Sequence, residues 1–195
     1  MTLRTIILAL CLIVLLMAVA TAYSAEEKKE HQYIGVGGCK GCHSSDKVGG
    51  TQYNVWKDEP HSKAYEVLAS DRAKEVAAKA GIEGNPQEAD ACLKCHITAW
   101  GVKAELLAAS YKKEDGVGCE TCHGAGKDYM PMNVMKDHDA AVAAGLAAIT
   151  QDTCTACHNT DSPTYKEFKY EEALEVIKHW GDKEAAAEQP AASPG

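Results

Sequence analysis

The sequence predicts a mainly α fold, short helices joined by long loops with little or no β-sheet. Three observations carry this reading. No stretch alternates apolar and polar residues as a half-buried strand would. Ala-rich segments close on glycines that serve as helix stops. Eight of the nine cysteines fall in four C-x-x-C-H runs that punctuate the loops.

The elements follow in chain order. Residues 1–24 read as a signal peptide: Arg4 precedes an apolar run from Ile6 to Ala20, and Ala20 to Ser24 offers cleavage after Ala22 or Ser24. The run is short for a bilayer span, so no stable membrane insertion is expected after cleavage. Cys11 leaves with this segment, and the expected destination is the periplasm or the extracellular space of a bacterium. Residues 25–181 have the length of one domain, opening on a charged arm from Ala25 to His31 that is expected to be mobile. The segment Ser62 to Ala80 is predicted as a long helix, with Pro60 before it and Gly81 as its stop. Gly84-Asn85-Pro86 breaks that pattern. A short helix over 90–97, capped by Asp90, is then expected. Turn-like glycine pairs flank residues 119–123 on both sides. Ala140 to Ile149 is predicted as a helix, and Tyr170 to Trp180 as an amphipathic helix stopped by Gly181. Residues 182–195 read as a disordered tail. The spacers between the cysteine motifs differ in length and sequence, which excludes a solenoid.

The motifs are Cys39-Lys40-Gly41-Cys42-His43, Cys92-Leu93-Lys94-Cys95-His96, Cys119-Glu120-Thr121-Cys122-His123 and Cys154-Thr155-Ala156-Cys157-His158. Two thiols at this spacing reach the two vinyl positions of a haem, and the adjacent histidine sits under the iron as proximal ligand. Four such motifs, using every cysteine beyond the signal peptide, imply four covalently bound haem c groups in a single multihaem cytochrome c domain. Composition agrees: one Phe, three Trp and eight Tyr are a thin aromatic supply, and porphyrins would fill the interior in their place. Zinc sites, redox dithiols and disulfides fit less well. The first would need closed four-coordinate Cys/His sets, the second a βαβ pattern, and no cysteine is left for the third.

Four histidines remain as candidate distal ligands. His61 stands behind Trp56 and Pro60 at the start of the Ala-rich segment, placed to aim a ligand. His179 falls on the apolar face of the last helix beside Trp180. His138 sits in polar company, with Met130, Met132 and Met135 as rivals. His31 lies in the charged arm and is expected to be exposed. An iron with two nitrogen ligands is closed and suits electron transfer, whereas an open sixth position invites binding or reaction.

The net charge of −8 becomes more negative when Arg4 leaves, which argues against nucleic acid and anionic membranes. Redox partner proteins presenting a basic patch fit better.

The sequence resembles the cytochrome c-554 family of tetrahaem cytochromes, the type that takes electrons from hydroxylamine oxidoreductase. The likeness rests on Trp56 and His61-Ser62-Lys63-Ala64 after the first motif, on the run from Gly116 to Gly126, and on the closing segment bearing His179. It departs in a shorter third-to-fourth spacer and an acidic balance. The resemblance implies that His138 completes the haem of His43, His61 that of His123 and His179 that of His158, leaving the haem of His96 five-coordinate. It also implies haems in near-parallel, edge-overlapping pairs. Electron transfer with no catalytic residues is therefore the leading expectation. Two alternatives stand: reduction of a small nitrogen oxide at the haem of His96, and an extracellular cytochrome filament in which His31 of one subunit ligates that haem in the next. A looser likeness to filament-forming tetrahaem cytochromes supports the latter.

Overall fold

A computed structural model describes residues 30–179. The predicted signal peptide, most of the charged arm, Trp180, Gly181 and the tail lie outside the described residues. Residues 31–179 belong to one compact unit.

Short helices dominate, as expected, and among the described residues β-structure is limited to isolated bridges between Tyr33 and Leu107 and between Ser45 and Gly50. Helix α1 (Val36–His43) carries the first motif, and α2 (Gln52–Trp56) follows it. A 3-10 turn over Pro60–Lys63 then leads into α3 (Ala64–Val67) and α4 (Asp71–Lys79). The single long helix predicted from Ser62 to Ala80 is thus broken. Ser70 takes an extended backbone, and its hydroxyl accepts from the Ala73 amide, so it caps α4 and ends the preceding segment. Leu68, buried at this joint, fixes the change of direction. The predicted stop holds: Ile82 N–H donates to Ala77 O at 2.9 Å across Gly81, the long bond of a Schellman motif.

Helix α5 (Asp90–His96) carries the second motif. Ala89 is its cap residue, and Asp90 lies inside the first turn, where its carboxylate accepts from the Trp100 indole at 3.2 Å. Helix α6 (Cys119–His123) carries the third motif between Gly118 and Gly124. After α7 (Met132–Met135), helix α8 spans only His138–Ala143, not the stretch from Ala140 to Ile149. Asp137 caps it early, and Gly145 ends it in the left-handed region at φ 105°, with Leu146 N–H closing on Ala141 O. The fourth motif begins in α9 (Gln151–Thr155) and leaves the helix before His158. Finally α10 (Tyr170–Ile177) ends three residues before the predicted limit, because Lys178 turns to an extended ψ of 133°. His179 therefore lies past the helix and not on its apolar face.

Large buried side chains are sparse. Ile34, Leu68, Leu93, Tyr129 and Pro86 supply most of the bulk, with Ala77, Ala125 and Ala141 at close contacts. The remaining interior volume lies beside the cysteine motifs.

Candidate haem-binding sites

In an α-helix, residues three and four apart share a face. Cysteines at i and i+3 with a histidine at i+4 therefore project together, as they do in α1, α5 and α6. Backbone oxygens then fix the tautomer of two of these histidines. His96 Nδ1 lies 2.6 Å from Ala64 O, and His43 Nδ1 lies 3.0 Å from Gly49 O and 3.1 Å from Gln52 Oε1. Since these partners accept, Nδ1 donates and Nε2 keeps a free lone pair, as metal ligation requires. His179 has the same arrangement, with Nδ1 3.2 Å from Ile177 O. His158 is oriented instead by Phe168, whose ring stacks on it at 4.9 Å and 18°.

Two histidine pairs face each other across the chain. The rings of His61 and His158 have centroids 6.1 Å apart, and those of His123 and His179 are also 6.1 Å apart. Metal–nitrogen bonds of about 2.0–2.1 Å on opposite sides of one ion would put two imidazole centroids about 6 Å apart. In the structure the His61 ring stands with His158 and the His179 ring with His123, an arrangement different from the pairing the resemblance implies. The reason lies in the backbone: Val117 N–H donates to His61 O at 3.0 Å, holding His61 beside the approach to the third motif while its ring faces the fourth. Burial, with the neighbouring imidazoles of His179 and His43, holds His123 down to about 4. Burial likewise lowers His61, with His158 adding to it, and lowers His179. All three are kept as neutral imidazoles, the ligating form.

Among the described residues, two sizeable cavities adjoin the motifs. One of about 450 Å³ is lined by Cys92, Cys95 and His96 on one side and by Val67, Leu68, Val76, Ala77 and Ile82 on the other. Of the histidines, only His96 lines it. The second, about 290 Å³, brings the first and third motifs together through Cys39, His43, Cys119 and His123, with His179, Tyr129 and Met135 completing the wall. The Cys39 thiol is hydrogen-bonded to Cys119, which pushes Cys39 up and draws Cys119 down; burial raises Cys39 further. Cys157, next to Cys95, is pushed up to about 12, chiefly by burial, and Cys122 to about 11. The described cysteines are free thiols, and among the described residues no three His, Cys, Asp or Glu side chains gather into a closed metal site. Paired thiols, a following imidazole with its Nε2 free and an apolar cavity beside them form a donor set that fits haem c.

The other candidates are placed differently. His138 opens α8 with its side chain 66 % exposed and Nδ1 3.6 Å from Asp139. It does not line the His43 cavity, whereas Met135, three residues earlier, does. His31 is not exposed as expected: its side chain is 20 % exposed and Nδ1 lies 2.9 Å from Asp128. Met130 and Met132 are exposed and line neither cavity.

Three residues that sequence reasoning missed organise this region. The buried Thr98 hydroxyl donates to Gly116 O at 3.1 Å, accepts from the Gly118 amide at 2.7 Å and lies 2.8 Å from the Thr121 hydroxyl. Tyr111 donates to the Thr98 carbonyl. Glu120, inside the third motif, is 3 % exposed and accepts from the amides of Ile34, Gly35 and Gly126. Four glycines lie within six residues of Glu120, at 116, 118, 124 and 126, and were the available signal that backbone closes tightly around it.

A helical chain that repeats a thiol pair followed by histidine beside apolar cavities is of the c-type cytochrome class, in which haem is held covalently. Residues 38–124 match the family described as "Cytochrome c554 and c-prime". The chain is also similar to the cytochrome c-554 of Nitrosomonas europaea, at 36% identity over 136 residues, covering 62% of this chain and 54% of the relative. It thus spans about half the length of the curated relative it matches. No solved structure gives a significant match. Through the matched region the chain is similar to the cytochrome c-554 family.

Proposed function

We propose that this protein is an exported tetrahaem electron carrier acting in the periplasm or outside the cell, with one haem on each motif. The observation that carries the reading is the pair of facing imidazoles at 6.1 Å, His61 with His158 and His123 with His179. Bound haem supplies a one-electron iron couple, and the chain's own residues set its ligation, burial and local charge. His61 and His179 close two of the sites. For the site of His43 we retain His138 as sixth ligand, since Met135 brings the same segment to the cavity wall. At His96 the opposing wall is aliphatic, which supports a five-coordinate haem. That site is also where a second reading, reduction of a small nitrogen oxide, would reside.

Thiol neighbours suggest an order for the four sites. Cys39 touches Cys119, Cys122 feels the charge of Cys154, and Cys157 is hydrogen-bonded to Cys95. Electrons would then pass between motifs in the order first, third, fourth, second, ending beside the cavity of His96. The acidic chain would meet partners through a basic patch on their side. His31 is engaged by Asp128 within its own subunit, which favours the carrier over a filament built through His31.

A haem count by pyridine haemochrome together with low-temperature EPR of the oxidised holoprotein tests the reading. Four haems per chain with one high-spin centre are expected, and His61→Ala should add a second. A count below four, or an unchanged spectrum in the variant, would overturn it.

A further inference from the structure

Glu120 is a buried carboxylate placed where its charge acts on two cofactor sites. It stands between Cys119 and Cys122, inside the third attachment motif. Its Oε1 accepts from the amides of Ile34 at 2.9 Å and Gly126 at 2.7 Å, and its Oε2 from Gly35 at 2.8 Å. An ionised carboxylate only accepts hydrogen bonds, and three backbone donors match it. The donors are neutral amides, so they orient the charge without cancelling it. The first motif is also near: Ile34 and Gly35 lead directly into α1, the Cys39 thiol is hydrogen-bonded to Cys119, and the Glu120 charge acts on both thiols. The fourth motif comes near the third at Cys122, which feels Cys154, whereas Cys39 and Cys119 both feel Glu120 directly.

We propose that Glu120 is a potential-setting residue, whose buried negative charge holds the haems of the first and third motifs at lower reduction potentials than a neutral side chain would. Ferric iron carries one more positive charge than ferrous iron, so a fixed anion favours the oxidised state, and the effect is strong where water is excluded. The inference rests on the tetrahaem reading above. A purely structural alternative exists, because the same three hydrogen bonds latch residues 34–35 to residue 126.

The test is spectroelectrochemistry of the holoprotein with soluble mediators, following each low-spin haem by EPR. Glu120→Gln removes the charge and keeps the shape. The reduction equilibrium of the His43 and His123 haems should rise about tenfold, or about 59 mV for a one-electron couple, with smaller movement at His96 and His158. Glu120→Asp keeps the charge and shortens the reach, so it should lower the unfolding midpoint while the potentials stay with the native protein. Unchanged potentials in Glu120→Gln would leave only the latch and overturn the proposal. If the variants fail to load haem, the native protein decides. Its His123–His179 and His61–His158 haems have matched axial ligands, and the first should be reduced at the lower potential; the reverse order would overturn the proposal. Haem stoichiometry and low-spin count on the same samples test the tetrahaem reading separately.

Discussion

Gly116→Ala should damage a haem site from a residue that touches no haem ligand side chain. Gly116 sits at φ 70° and ψ −137°, a conformation essentially restricted to glycine, where an L-residue costs about 1–3 kcal/mol. A Cβ there would also lie 2.8 Å from His61 O and 3.2 Å from Ala64 N, both backbone atoms that cannot swing away. The His61 carbonyl would have to retreat by roughly 0.6 Å to restore van der Waals contact. Doing so stretches the 3.0 Å bond from Val117 N–H and carries the His61 ring away from its place opposite His158. Conformational strain and the displaced segment together give a destabilisation of about 3 kcal/mol. Denaturant unfolding of the holoprotein should show this loss with an unchanged slope. EPR of the oxidised form should show one low-spin signal replaced by high-spin iron. Gly81→Ala is the matched control: Gly81 has φ 71°, but its Cβ would meet nothing within 4 Å, so only the conformational cost of about 1 kcal/mol should appear, without a spin change. If Gly116→Ala unfolds within about 0.5 kcal/mol of the native protein and keeps its low-spin signals, the clamp argument is wrong.

In the haem-free chain, where no iron occupies their Nε2 atoms, acid should act through the buried imidazoles. An unfolded histidine takes up its proton near 6.5, whereas burial holds folded His123 down to about 4 and lowers His61 and His179. The unfolded chain therefore binds more protons across that window. Stability should be full above about pH 6.5 and fall progressively toward about pH 4; an unfolding midpoint flat across this range would contradict the burial. At the second motif, the reduced protein should bind one carbon monoxide per chain. Val76→Phe, which fills the aliphatic wall, should weaken that binding by about tenfold, or 1.4 kcal/mol, in an optical titration. Ser70→Ala removes the cap of α4 and should cost about 1 kcal/mol of stability by denaturant unfolding.

The cysteine motifs and the helical class were legible because both are written in local spacing. Thiols at i and i+3 with a histidine at i+4 define a face wherever the segment is helical, and Gly81 ends α4 by a conformation that glycine adopts freely. Helix limits were less legible where two local signals competed. The run from Ser62 to Ala80 has helical composition throughout, yet Ser70 followed by Asp71 also reads as a cap and a first turn, and the cap prevails because Leu68 is buried at the break. In the stretch after His138, Gly145 outweighed the alanines around it. The last helix also ends short of its apolar pattern, since the periodicity continues past Ile177 while the helical backbone does not.

Which histidine faces which was not legible, because no local spacing encodes it. His61 and His158 are 97 positions apart in sequence, and they meet only because Trp56, through its indole bond to Val117 O at 2.9 Å, and Gly116, through its close approach to His61 O, pin one segment against another. The same holds for Glu120. Within its motif it occupies a position that places no demand on residue type, and a solvated glutamate there would have been unremarkable. Its burial follows from Gly118 and Gly126, where side chains would collide with Val36 and Ile34, so the backbone closes around the carboxylate and supplies its donors. Which imidazoles face each other, and where the buried charge sits, are therefore set here by glycine-permitted backbone contacts between motifs, while the motifs themselves specify only that a haem can be held.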